Sequence, residues 1–482
     1  MSEPIAGLQE ANTERDAQKR GRRLFGACAA GLTALLIYFA ITADISDPIN
    51  LYQGLAMLAL AALPSLLWAR RGGSQLPIFE VFMLMTASAY ALPFLNGKEQ
   101  LRDFSPPVIT ESGFVVLFFQ MIAVCTHGMI RGTPGRSRFY TTEILTHSFK
   151  KYIGYGLVIS TIYTYVSVYY DGLIPSGINS ILRAVFAGIG LVSTFVQARR
   201  WGQNELGPTE RITLIVLLTI QVLMQFSTLF LVGGIAIIAL ALVGYVAGGH
   251  RVPVVPTVGL FAVIALLHNG KSVMRTRYWD ETGYRQQVEV SALVPFYADW
   301  IQAGLTVRDE SDKQRGIGQK LLERTSLIHI LCLVIENTPE HLPYLGGKTY
   351  AQIPGQFVPS FLWPGKPNAH VSTSTLCVYY GLQSEEDTQN TTIGFGLLTE
   401  AYANFGLFGV GTLAFLIGAF YKRVQTATAK SPMLSYPGLF LVVLMAWSFQ
   451  TEWPMSLWLS SLYQACVGVM GLPFILRNFA GD

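Results

Sequence analysis

Residues 349–409 read TYAQIPGQFVPSFLWPGKPNAHVSTSTLCVYYGLQSEEDTQNTTIGFGLLTEAYANFGLFG. The first half is a proline- and glycine-rich loop that carries Trp363, Lys366 and His370. The second half turns apolar and holds Glu400 and Asn404. Such a passage, from irregular loop into a long hydrophobic segment, is a chain diving back into a bilayer. The rest of the sequence repeats the apolar half many times, in runs approaching the roughly 20 residues a spanning helix needs. Of the 482 residues, 51% are hydrophobic and 13% charged, about half the charge of a soluble domain. The fold class is therefore an all-α polytopic membrane protein.

Working outward, the apolar periodicity predicts about twelve spans, at 24–42, 51–69, 78–95, 112–130, 151–170, 178–197, 211–227, 233–248, 252–268, 394–421, 436–451 and 455–475. The seventh and eighth share one run, with a turn expected near Val232, Gly233 and Gly234. Lys19, Arg20, Arg22 and Arg23 precede the first span as in a signal peptide, but no small-residue cleavage site follows. The first helix is read as uncleaved. Positive charge sorts the loops: Arg70, Arg71, Arg131, Arg136, Arg199, Arg200, Lys422 and Arg423 all fall on one side, whereas Asp44, Asp47, Asp171 and Glu452 fall on the other. By the positive-inside rule both termini are cytoplasmic. The division that follows is a tail at 1–23, helices 1–9 at 24–268, a large external (periplasmic) loop at 269–393, helices 10–12 at 394–475 and a tail at 476–482.

Within the external loop, Gly316–Glu336 is predicted to be a helix, too short to span comfortably and suited to packing on the membrane domain. Cys332 and Cys377 both fall in this loop, where an oxidising compartment permits a disulfide; they are equally readable as unbonded. The other cysteines, Cys28, Cys125 and Cys466, lie in apolar segments. No Cys/His ligand cluster points to a metal. No P-loop, GxSxG, HExxH or helix-opening GxGxxG is present.

Polar residues gather at the expected outer boundary. His268-Asn-Gly-Lys271-Ser-Val-Met-Arg275-Thr-Arg277 places three cations where a lipid pyrophosphate would lie, and the arginine fork binds phosphate oxygens in pairs. The alternative is that they snorkel to ordinary headgroups. Arg324 shares a face with Leu327, Ile328, Leu331 and Ile335, so its charge needs a partner or a task. In Phe357–Pro367, three prolines stiffen the chain around Trp363 and Lys366, setting a cation beside an aromatic ring on which a sugar could stack. His370 titrates in the range needed to take a proton from a sugar hydroxyl; an exposed loop histidine without function reads the same. Glu400 and Asn404, four apart, share one face of the tenth helix. An intramembrane carboxylate is costly enough to face a cavity or a partner, and Arg183 in the sixth helix is one candidate. The neighbouring glycines allow the plainer reading of tight helix packing.

Four runs carry a family resemblance: Glu323-Arg-Thr-Ser326, Gly347-Lys-Thr-Tyr350, Pro359 through Trp363-Pro-Gly-Lys-Pro367, and Glu400-Ala-Tyr-Ala-Asn-Phe-Gly406. In that order the chain resembles the bacterial oligosaccharide repeat-unit polymerases of the Wzy type, which make O-antigen and exopolysaccharide. Ser360 stands where members of that family commonly have arginine. The resemblance implies a glycosyltransferase that joins undecaprenyl-pyrophosphate-linked units at the outer face of a bacterial inner membrane. For that reaction the residues singled out above would serve as catalytic groups (Arg324, His370 and Glu400) and as the substrate-binding set (Arg275, Arg277, Lys366, Trp363, Asn404 and Arg183). No cofactor or metal is implied. The implied partners are lipid-linked oligosaccharides, membrane lipid, a flippase and a chain-length regulator, and no nucleic acid. A glycan ligase shares the same leaving group and stays open as an alternative. A flippase of lipid-linked sugars also stays open, although no internal repeat supports it.

Overall fold

The fold is taken from a computed structural model. It describes residues 3–479 apart from 44, 46, 74, 97–100, 102, 145–146, 171–172, 174–175, 230, 251, 279–287, 307–325, 359–361, 364, 368 and 391–392. In the helices, the side chains at 3–20, 147–151, 176–181, 183–184, 232, 272, 389–390 and 472–479 are also left undescribed.

Among the described residues the chain is all helix and loop, with no strand. In chain order the main helices are α1 (Glu3–Thr42), α2 (Pro48–Arg70) and α3 (Ile78–Leu95). Next come α4 (Pro106–Met129), α5 (His147–Tyr169), α6 (Ser176–Gly202), α7 (Pro208–Phe226), α8 (Leu231–Ala247) and α9 (Val254–Tyr278). Shorter helices follow, α10 (Leu293–Thr306), α11 (Ile328–Asn337) and α12 (Val371–Tyr379). The last three are α13 (Gly396–Ala427), α14 (Tyr436–Ser448) and α15 (Met455–Phe479). Each of the twelve predicted segments is helical over most of its length. Seven described helices, Gly21–Thr42, α2, α3, α4, α7, Val254–Lys271 and α13, are long and apolar enough to cross a membrane. Many of their large apolar side chains point outward, among them Ile41, Phe261, Phe408 and Leu416. A soluble protein would bury them; a bilayer solvates them.

One local expectation changes. The α7–α8 turn falls at Ser227–Leu229 rather than at the glycines. Ser227 Oγ and Thr228 Oγ1 donate back to the carbonyls of Met224 and Gln225 at 2.8 and 2.6 Å and end α7 there. Gly233 and Gly234 lie inside α8, where the side chains of Gln225 and Phe226 occupy the space a Cβ would need. Of the helix expected over Gly316–Glu336, residues 316–325 lie outside the described residues; among the described ones, helix runs over Ile328–Asn337 after the non-helical Ser326 and Leu327. It packs into the membrane domain, as its apolar face implies: Ile328, Leu331, Cys332 and Val334 are fully buried in the main core. The Leu327 amide donates at 2.9 Å to the carbonyl of Ala89, within the wide π turn Ala87–Ala91 of α3. A π turn leaves a carbonyl outside the regular ladder, and α11 is pinned to it. Cys332 and Cys377 are both buried free thiols.

Candidate functional site at the N-terminal end of α13

The site begins with a break in a helix. Gly406 in α13 has φ 58° and ψ −145°, a conformation that an L side chain rarely adopts. Carbonyls just before the break lose their helical donors, and the segment after Tyr344 replaces them. Leu345 N donates to Ala403 O at 3.0 Å and Gly346 N to Asn404 O at 3.1 Å. The Asn404 side chain completes the latch. Its Oδ1 accepts from Gly347 N at 3.1 Å, while Nδ2 donates to Thr349 Oγ1 at 2.9 Å and to Glu400 O at 2.8 Å. Thr349 O in turn accepts from Ser372 Oγ at 3.1 Å. Both Asn404 and Thr349 are fully buried. Asn404→Ala should therefore strand several polar groups and destabilise the protein by about 1–3 kcal/mol, visible as a lowered unfolding temperature in detergent.

Glu400 lies one turn before Asn404 and is fully buried. Its Oε2 accepts from the backbone amide of Met455, the first residue of α15, at 2.6 Å. A carboxylate at a helix N-terminus sits where exposed amides and the helix dipole both favour it. Oε1 is buried and forms no hydrogen bond of ordinary geometry, with Thr349 beside the carboxylate. Tyr350 faces the same corner; burial, and then the Glu400 charge, push its phenol above the usual range. Among described groups the partner of Glu400 is thus a backbone amide. Arg183 lies on α6 with its side chain outside the described residues.

A second carboxylate closes the corner. Glu452 is three residues before α15, and its carbonyl accepts from Gly396 N at 3.0 Å. Desolvation by the surrounding chain raises its carboxyl pKa, and the charge of Lys271 partly offsets the rise. Lys271, toward the C-terminal end of α9, is only 9% exposed, so it is the cation of the His268–Arg277 run that meets this corner. Arg275 instead donates to Leu229 O in the α7–α8 turn at 3.3 Å. Arg277 is exposed and lines a cleft of about 190 Å³ with Asp299, Gln302 and Thr306.

The proline-stiffened loop folds over α15. Lys366 Nζ donates to Val358 O at 2.6 Å and to Gln356 O at 3.4 Å, and desolvation lowers its pKa. Gln356 Nε2 donates to Pro367 O at 3.1 Å. Trp363 stands against Gly355 with 47% of its surface exposed, and Phe357 meets Tyr463 of α15 edge-on at 5.2 Å. Ser456 Oγ donates to Ala369 O at 3.4 Å, which ties the stretch before exposed His370 to the start of α15. Arg324 lies outside the described residues.

Beneath this corner an apolar cavity of about 520 Å³ runs between α13 and α15. Tyr350 and Met455 line one end, Phe420 and Phe440 the other, with Leu416 and Leu459 between. From Phe408 to Phe420 it follows α13 for about 18 Å at helical rise. The cavity is shaped for a hydrocarbon chain, and its Tyr350–Met455 end adjoins Glu400. No group of three or more metal-binding side chains occurs among the described residues.

Sequence reading gave Thr349, Tyr350 and the Met455 amide no role at the site, and named Lys271 only as one of three cations without singling it out. One signal was present: Trp453-Pro454 immediately before an apolar run marks a helix start, a natural partner for an intramembrane carboxylate. A family model described as Domain of unknown function (DUF8712) matches residues 209–450. The matched stretch holds Lys271, Lys366, His370, Glu400 and Asn404, and stops short of Met455. No curated protein and no solved structure matches the chain.

Proposed function

The chain belongs to the DUF8712 family, and on that footing, which brings no activity with it, we propose that it is a membrane glycosyltransferase that polymerises lipid-linked oligosaccharide units. In this reading twelve helices cross a bacterial inner membrane with both termini in the cytoplasm. Residues 269–393 and the Glu400 corner then face outward, where the donor is a glycan on undecaprenyl pyrophosphate. An acceptor hydroxyl oxygen attacks the anomeric carbon of that donor. The bond from this carbon to the pyrophosphate oxygen breaks, and the hydroxyl proton leaves to a base. His370, exposed beside the corner, takes the proton. The leaving pyrophosphate gains charge, which Lys366, Lys271 and Arg324 offset. Glu400 holds the start of α15 against the latched loop and orients these cations; Trp363 supplies a stacking face for sugar. Arg275 and Arg277 serve the headgroup farther along the outer edge.

One observation carries the proposal: the apolar cavity ends at Tyr350 and Met455, beside the buried carboxylate. A long lipid tail in that cavity brings its phosphates to the charged corner. Leu416→Trp, at a half-exposed side chain that lines the groove, should fill it without disturbing Glu400. The expected result is an unchanged unfolding temperature with polymer formation lowered by about tenfold or more. Full polymer output from that variant would remove the groove from the reaction.

A further inference from the structure

At the far end of α13 from Glu400, four helix ends meet around a second polar pocket. Arg71 ends α2, Glu80 lies in the first turn of α3, His127 in the last turn of α4, and Lys422 and Gln425 near the end of α13. The pocket has a volume of about 280 Å³ and is lined by Trp68, Arg71, Gln75, Glu80, Lys422 and Gln425, among others.

Its acidic wall is built rather than incidental. Glu80 is 6% exposed. Gln425 Nε2 donates to Glu80 Oε2 at 3.0 Å, and Gln425 Oε1 accepts from His127 Nε2 at 2.7 Å. His127 is itself fixed by stacking flat on Phe79, centroids 4.1 Å apart. Trp68 Nε1 donates to Gln75 O at 2.8 Å and holds the connecting loop closed. The two cations are not consumed in this way. Among described residues, neither Arg71 nor Lys422 has a side-chain hydrogen bond or an ion pair within reach, although both act on Glu80 through space. Two cations and one carboxylate leave one positive charge in excess.

We propose that this pocket binds the phosphodiester headgroup of an anionic, hydroxyl-bearing phospholipid, of the phosphatidylglycerol type. A single negative charge neutralises the excess, with the guanidinium fork and the ammonium sharing the phosphate oxygens. Glu80 disfavours a second negative charge and accepts a hydrogen bond from a headgroup hydroxyl. The setting favours a lipid over a soluble phosphate: the pocket lies at the ends of α2, α3, α4 and α13, the depth of headgroups, and Trp68 is a residue suited to that boundary. The assignment does not depend on the reaction proposed above.

The test uses the full-length protein in detergent and measures its unfolding temperature and the lipid it retains. Phosphatidylglycerol should stabilise the protein and be retained, whereas phosphatidylcholine should do neither. The double variant Arg71→Gln/Lys422→Gln should bind phosphatidylglycerol about tenfold more weakly or worse, and Lys422→Arg should keep the binding. The matched control Arg70→Gln/Arg423→Gln removes the same charge from adjacent exposed positions and should bind as wild type does. Equal weakening in the control pair would overturn the site. So would equal stabilisation by phosphatidylcholine, and equal stabilisation by sn-glycerol 3-phosphate in lipid-free detergent would overturn the lipid source.

Discussion

Glu400→Gln is expected to leave the protein folded and in the membrane while polymer formation falls by roughly a hundredfold, the size of loss seen when one preorganised electrostatic contact at a reaction centre is removed. The glutamine side chain keeps a carbonyl oxygen to accept from Met455 N, so the 2.6 Å link that seats α15 is retained in kind. What disappears is the charge, at a site where the second oxygen is buried without a regular partner. Glu400→Ala removes the acceptor as well and leaves a buried amide unpaired, which adds about 1–3 kcal/mol of destabilisation. The two variants together separate the roles. If Glu400→Gln makes normal polymer and only Glu400→Ala fails, the carboxylate is a helix cap and has no part in the chemistry.

Gly406→Ala is expected to cost stability and activity together. The backbone at φ 58° and ψ −145° is unfavourable for any residue with a Cβ, by about 1–3 kcal/mol. An added Cβ would also stand 2.7 Å from Tyr344 Oη, whose chain leads into the Leu345–Gly347 latch. Straightening α13 to relieve the strain would withdraw the carbonyls that Leu345 and Gly346 use. Either route should lower the unfolding temperature and abolish polymer formation. Gly259→Ala is the fitting contrast: it lies within α9 with nothing within 4 Å of an added Cβ, and should stabilise by about 0.5–1 kcal/mol.

These variants also show what could be read from residues alone. Helix positions were legible because apolar length is a strong, local signal, and all twelve segments fold as helices. In the run Glu400-Ala-Tyr-Ala-Asn-Phe-Gly406, the spacing placed Glu400 and Asn404 on one face, from which Asn404 bonds the 347–349 loop and Glu400 the start of α15. That Gly406 breaks the helix was not legible, since Gly409 and Gly411 nearby are helical and look the same in sequence. The α7–α8 turn was misplaced because glycine signals both turns and close packing, and Gly233 and Gly234 serve the second. Lys271 and Glu452 are 181 residues apart (452 − 271), and only tertiary structure brings such a pair together. Single-chain periodicity gives no weight to Lys271 over Arg275 or Arg277.

Lipid-linked saccharides extracted from a strain lacking this protein test the central assignment most directly. The account predicts that single repeat units accumulate on the lipid carrier and that wild-type protein, but not Glu400→Gln, restores long chains. Long lipid-linked chains in the deletion strain, or a saccharide profile identical to that of the parent, would contradict it.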